Sequence, residues 1–138
     1  MIMLVREFLK TTSTTGLEVQ NSTLSIVAGL VFFCNGSRLY DRFPDTYRNI
    51  EFAPAEMWGA VYFAAGVMHL LCLYTGLKYL RKQVLIIKAG LWVFLGVCVM
   101  LSDRYTLAGY VFLILATAAF FSFLRIKILR TEVYAANA

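Results

Sequence analysis

Residues 84–124 read VLIIKAGLWVFLGVCVMLSDRYTLAGYVFLILATAAFFSFL, with Lys88, Asp103 and Arg104 as the only charged side chains. Two of those charges share a short interruption, Ser102-Asp103-Arg104, which divides the stretch into apolar runs at 84–100 and 106–124. An apolar run approaching ~20 residues crosses a hydrocarbon core of ~30 Å as a helix. The pattern therefore predicts two membrane spans, about 83–101 and 105–124, joined by a tight turn.

Two further spans lie upstream. Pro54-Ala55-Glu56 opens a run to about residue 77, with Pro where a helix start tolerates it and Glu56 facing the positive helix end, and Lys78–Lys82 reads as a short basic turn after it. The earliest span, about 20–38, starts rich in Ser and Thr. Residues 35–54 form the longest polar stretch, and Tyr40, Phe43, Tyr47 and Arg48 make it a candidate partner-facing loop. Residues 1–16 place Ile2, Leu4, Val5, Phe8 and Leu9 at helical spacing, as in a short amphipathic helix on a membrane surface or packed on its neighbours. The fold class expected is an all-α membrane protein: an antiparallel four-helix transmembrane bundle over 20–130, preceded by this segment and followed by a short polar tail, 131–138.

Composition agrees. Apolar residues make up 60% of the chain and charged residues 15%, with mean hydropathy +0.70, so a soluble domain of this size would lack polar groups to cover its surface. The net charge of +5 sits at the ends of apolar runs, which points to topology rather than nucleic acid. With both termini inside, nine Lys and Arg face the cytoplasm (Arg6, Lys10, Lys78, Arg81, Lys82, Lys88, Arg125, Lys127, Arg130) and four face out (Arg38, Arg42, Arg48, Arg104). That asymmetry predicts a multi-pass orientation with the N-terminus and C-terminus both inside. Asp41-Arg42-Phe43 and Asp103-Arg104-Tyr105 then mark the outer ends of the two outward-running spans. The first residues lack the long apolar core and cleavage site of a signal peptide, so insertion by uncleaved spans is expected. Arg125, Lys127 and Arg130 form a basic tail suited to anionic headgroups or an acidic partner.

No motif for catalysis, a metal or a cofactor emerges, and the reading is of a non-enzyme without cofactors. Cys34, Cys72 and Cys98 read as small apolar residues, and one histidine does not make a usual zinc site. His69 and Lys88 are the two ionisable residues deep in spans, and helical rise puts them at similar depth. With Thr117 as a hydroxyl partner for His69, they form a candidate intramembrane polar layer; alternatively Lys88 snorkels and His69 stays neutral. Gly59, Gly66, Gly90 and Gly96 are candidate helix-association positions, within one bundle or between copies. Ala28-Gly29-Leu30 and Ala89-Gly90-Leu91 hint at a duplicated hairpin.

Ala53-Pro54-Ala55-Glu56-Met57-Trp58-Gly59, Gly66-Val67-Met68-His69-Leu70-Leu71, Leu80-Arg81-Lys82, Leu91-Trp92-Val93-Phe94-Leu95-Gly96 and Gly109-Tyr110 carry a likeness over about half of the chain. In these the chain resembles small four-span membrane proteins of tailed bacteriophages and prophages, often labelled holin-like. That resemblance implies accumulation in the bacterial inner membrane, lateral association into homo-oligomers and permeabilisation of the bilayer. The alternatives are a superinfection-exclusion or regulatory protein that binds an envelope or phage partner, and a fixed subunit of a larger membrane or virion assembly.

Overall fold

The computed structural model describes residues 15–102 and 107–136, with side chains described through residue 128. Nearly all of the amphipathic segment over 1–16, together with Asp103, Arg104 and the Arg130 side chain, lies outside the described residues. The chain forms α1 (Thr15–Arg42), α2 (Pro44–Tyr47), α3 (Ala55–Thr75), α4 (Lys78–Ser102) and α5 (Leu107–Ala136), and among the described residues there is no strand. Four of these helices, all but α2, are long and apolar enough to cross a membrane.

The helices overrun the expected spans. α1 begins at Thr15 rather than 20 and ends at Arg42 rather than 38. α4 absorbs the basic stretch Lys78–Lys82 that reads as a turn, and α5 carries helix to Ala136 through most of the expected polar tail. Hydropathy marks the apolar window of a helix, whereas backbone hydrogen bonding continues until something stops it. Pro44 stops α1, because the residue before proline is pushed out of the helical region; Phe43 has φ −131° and ψ 57°. Gly76, at φ +69°, ends α3 in the left-handed conformation that glycine adopts without strain.

Glycine also sets the closest helix contacts. A Cβ on Gly29 would lie 2.5 Å from the Phe63 backbone nitrogen, and one on Gly59 would lie 2.6 Å from that of Phe33. Gly36 meets Ala55, and Gly66 meets Ser22 and Ile26, so numbering rises along α1 as it falls along α3. A second crossing joins α4 to α5, with Gly96 against the Gly109 carbonyl and Leu113. Small residues let backbones approach where no hydrophobic force pulls helices together. Gly90 is the exception among the candidate association glycines, since open space surrounds it.

Above the crossings, toward α2, lies an aromatic core. Trp92 stacks on Phe112 at 5.6 Å between centroids and packs beside Tyr62, whose hydroxyl donates to the Leu91 carbonyl at 2.6 Å. The 43–54 connection closes over this core instead of extending away. Ile50 is fully buried, Trp58 Nε1 donates to its carbonyl at 3.1 Å, and Asn49 Nδ2 donates to Ser102 Oγ at 2.9 Å and to the Cys98 carbonyl at 3.2 Å.

The distribution of polarity is inverted relative to a water-soluble domain. Glu18, Asn21, Ser22, Ser25, His69 and Lys88 are buried, while Leu30, Phe33, Leu71, Ile87, Leu101 and Ile114 are exposed.

The glycine contacts give a direct test. Gly59→Ala forces a methyl group into the α1 backbone and is expected to destabilise the detergent-solubilised protein by about 1–3 kcal/mol. Gly90→Ala meets nothing and is expected to leave the melting temperature unchanged or raised, as read by thermal unfolding of both variants.

Candidate functional site

The first three turns of α1 carry Glu18, Asn21, Ser22 and Ser25, at i, i+3, i+4 and i+7, which places all four on one helix face. All are buried. Ser22 Oγ donates to the Glu18 carbonyl at 2.7 Å and Ser25 Oγ to the Asn21 carbonyl at 2.9 Å, so each hydroxyl is partnered within its own helix. Asn21 Nδ2 reaches across to the Leu115 carbonyl of α5 at 2.9 Å.

Glu18 is the hub. Its carboxylate receives two hydrogen bonds from Arg81 of α4, from Nε and from a terminal nitrogen, both at 2.7 Å. This is the bidentate geometry that makes arginine–carboxylate pairs strong. The carboxylate is fully buried, while Arg81 keeps 22% of its side chain exposed and forms the outer edge of the cluster. On its other side, Glu18 Oε2 lies 3.2 Å from His69 Nε2 of α3.

A carboxylate only accepts hydrogen bonds, so the proton between them sits on Nε2. His69 Nδ1 then faces Ser22 Oγ at 2.7 Å and Lys88 Nζ at 3.1 Å, and Lys88 also reaches Ser22 Oγ at 3.2 Å. With Lys88 as the ammonium, which only donates, Nδ1 accepts from it and the ring is the neutral Nε2–H tautomer. Imidazolium and ammonium at 3.1 Å would repel by about 5 kcal/mol at an effective dielectric constant of ~20. Among the described residues no carboxylate lies in salt-bridge range of Lys88; its acceptors are the Ser22 hydroxyl and the His69 ring.

Of the candidate polar layer, His69 and Lys88 meet directly, as their matched depths imply. Thr117 does not join them. It is exposed and donates to the Leu113 carbonyl one turn back, the local bond that threonine makes when its helix turns it outward. The hydroxyl that stands beside the ring is that of Ser22, whose oxygen accepts from Lys88 at 3.2 Å. The sequence reading missed Glu18 and Ser22 and left Arg81 in a turn, because Glu18 precedes the apolar run. The four-residue polar face at helical spacing is the signal that finds them.

The candidate partner-facing residues divide. Tyr40 and Tyr47 are half-buried against the core, with Tyr47 edge-on to Phe32 at 6.0 Å, and burial raises the Tyr47 phenol pKa. Phe43 and Arg48 are exposed, and Phe52 more so at 72%. The basic stretch keeps Arg125 half-buried and Lys127 exposed. Among the described residues no group of His, Cys, Asp and Glu could hold a metal ion. No family model, curated protein or solved structure matches the chain.

Removing the hub charge leaves Arg81 without its carboxylate partner and His69 without a charged acceptor. Glu18→Gln is expected to destabilise the protein by about 3 kcal/mol in detergent, the range for breaking a buried pair. Thr117→Val, which touches none of the cluster, is expected to change stability by less than about 0.5 kcal/mol in the same unfolding assay.

Proposed function

We propose that the chain is a multi-pass protein of the bacterial inner membrane, an antiparallel four-helix transmembrane bundle with both termini in the cytoplasm, and that it acts without catalysis by holin-like permeabilisation. The observation that carries the reading is the polar face of α1, sealed inside a bundle whose outer surface is apolar. An apolar exterior suits lipid, and hydrocarbon tolerates charged side chains only where other protein groups partner them. The opposite register of α1 and α3 supports the antiparallel arrangement. The basic groups of α4's start and α5's end share one end of the molecule, as Lys82 over the Phe123 ring attests, and this matches the positive-inside tally.

A lesion in a bilayer needs a hydrophilic wall, and α1 carries one. When several copies meet, exchange of α1's contacts from its own α3 and α4 to neighbouring copies turns Glu18, Asn21, Ser22 and Ser25 toward water. The small-residue crossings are occupied within the chain, so lateral contact begins on the outward apolar faces, where Gly90 leaves the α4 backbone open.

A second reading, an exclusion or regulatory protein that grips an envelope partner, draws on one feature. The 43–54 connection is pinned by Asn49, Ile50 and Trp58 yet presents Phe43, Arg48 and Phe52 outward, a firm platform rather than a loose loop.

Expression in a bacterium loaded with a potential-sensitive dye separates the two. Permeabilisation requires collapse of the potential and homo-oligomers on sizing in detergent. Retained potential, with a single copy that co-purifies with an envelope protein and ceases to do so as Phe52→Ala, transfers the assignment to the second reading.

A further inference from the structure

Lys88 and His69 meet nitrogen to nitrogen in the buried interior. Lys88 Nζ and His69 Nδ1 lie 3.1 Å apart, both side chains are at most 1% exposed, and either nitrogen can hold the proton between them. In one arrangement the Lys88 ammonium donates to a neutral ring. In the other the proton has crossed to Nδ1, and the Lys88 amine accepts the bond it formerly gave. Charge and hydrogen bond are conserved in the exchange, and Glu18 on Nε2 stabilises the imidazolium that results. A second proton does not fit, because two cationic donors would then face each other across the same gap.

We propose that His69 and Lys88 form one proton-binding site that holds a single proton under neutral conditions and is linked to the packing of α3 on α4. Around His69 the charged groups among the described residues are Glu18 from α1 and Arg81 and Lys88 from α4. α5 closes the neighbouring face with Ala119, Phe123 and Ile126 packed on Leu85 and Ala89. Arg81, the partly exposed member, marks the end where the cluster meets the surroundings, and protons from water enter past it. Uptake of a second proton from acid breaks the Lys88–His69 bond and drives the two helices apart. A purely structural cluster would keep fixed protons and show no such linkage.

The chain's single histidine makes this directly readable. Full-length protein with ¹⁵N-labelled histidine in phospholipid nanodiscs gives only two ring-nitrogen signals. Across about pH 5–9, the site requires Nε2 to stay protonated while Nδ1 moves with pH. In Lys88→Met the Nδ1 midpoint is displaced by about one pH unit or more, the mark of coupled titration. An invariant Nδ1, titration at Nε2 instead, or an unchanged midpoint in Lys88→Met overturns the proposal. Should that variant fail to fold, the ¹⁵Nζ signal of Lys88 in the wild-type protein decides: titration together with Nδ1 supports the shared site, and independent behaviour overturns it. No permeability is measured, so the outcome is separate from that of the permeabilisation reading.

Discussion

A carboxylate with no exposed surface, Glu18, requires partners, and two other helices supply them. An unpaired buried charge costs several kcal/mol, and Arg81 and His69 offset that cost by donating hydrogen bonds to Glu18. Those two residues come from α4 and α3, which ties three helices together near one end of the molecule. Lys88 and Ser22 complete the set by occupying the far side of the imidazole ring. The ion pair fixes which faces of the helices turn inward and at what height they meet.

The glycine crossings act with this cluster. At Gly29 and Gly59 the α1 and α3 backbones come so close that even a methyl group has no room, and seven residues further along α3 Gly66 leaves space for Ser22 beside His69. Close approach is what brings short side chains such as serine within reach of a histidine on the next helix. At the opposite end the aromatic core and the pinned connection hold the bundle by shape and by bonds to carbonyls, with no buried ion pair among the described residues. The two ends therefore differ in kind: one is held by apolar packing, the other by charge. Under the proposed permeabilisation, that asymmetry is what would let the polar face of α1 turn outward.

The four long helices were legible from apolar runs with charge at their ends, the first least clearly because its run is short and starts with Ser and Thr. Helix ends were not. Residues 78–82 are basic and read as a turn, yet nothing in Lys-Tyr-Leu-Arg-Lys breaks a helix, and α4 begins there. The meeting of His69 and Lys88 followed from helical rise, because depth along an axis depends only on residue counting. Thr117 shows the limit of that method: depth says nothing about rotation, and α5 turns this hydroxyl outward. Glu18 lay beyond it for another reason. The residue stands before the hydrophobic window and looks like a surface charge, until its i+3, i+4 and i+7 neighbours are read as one face. Gly90 carries the same lesson, being identical in type to Gly59 and Gly96 but on a face with no neighbour in this chain.

The central claim is that the bundle is turned inside out, with lipid against its exposed leucines, valines and isoleucines and its charges sealed within. Spin labels at Ile87 and Ile114, exposed on α4 and α5, test it most directly when the protein is reconstituted in phospholipid vesicles. The account requires rapid relaxation of both labels by dissolved oxygen and none by a water-soluble nickel chelate. Relaxation by the chelate at either position would put that face in water and contradict it.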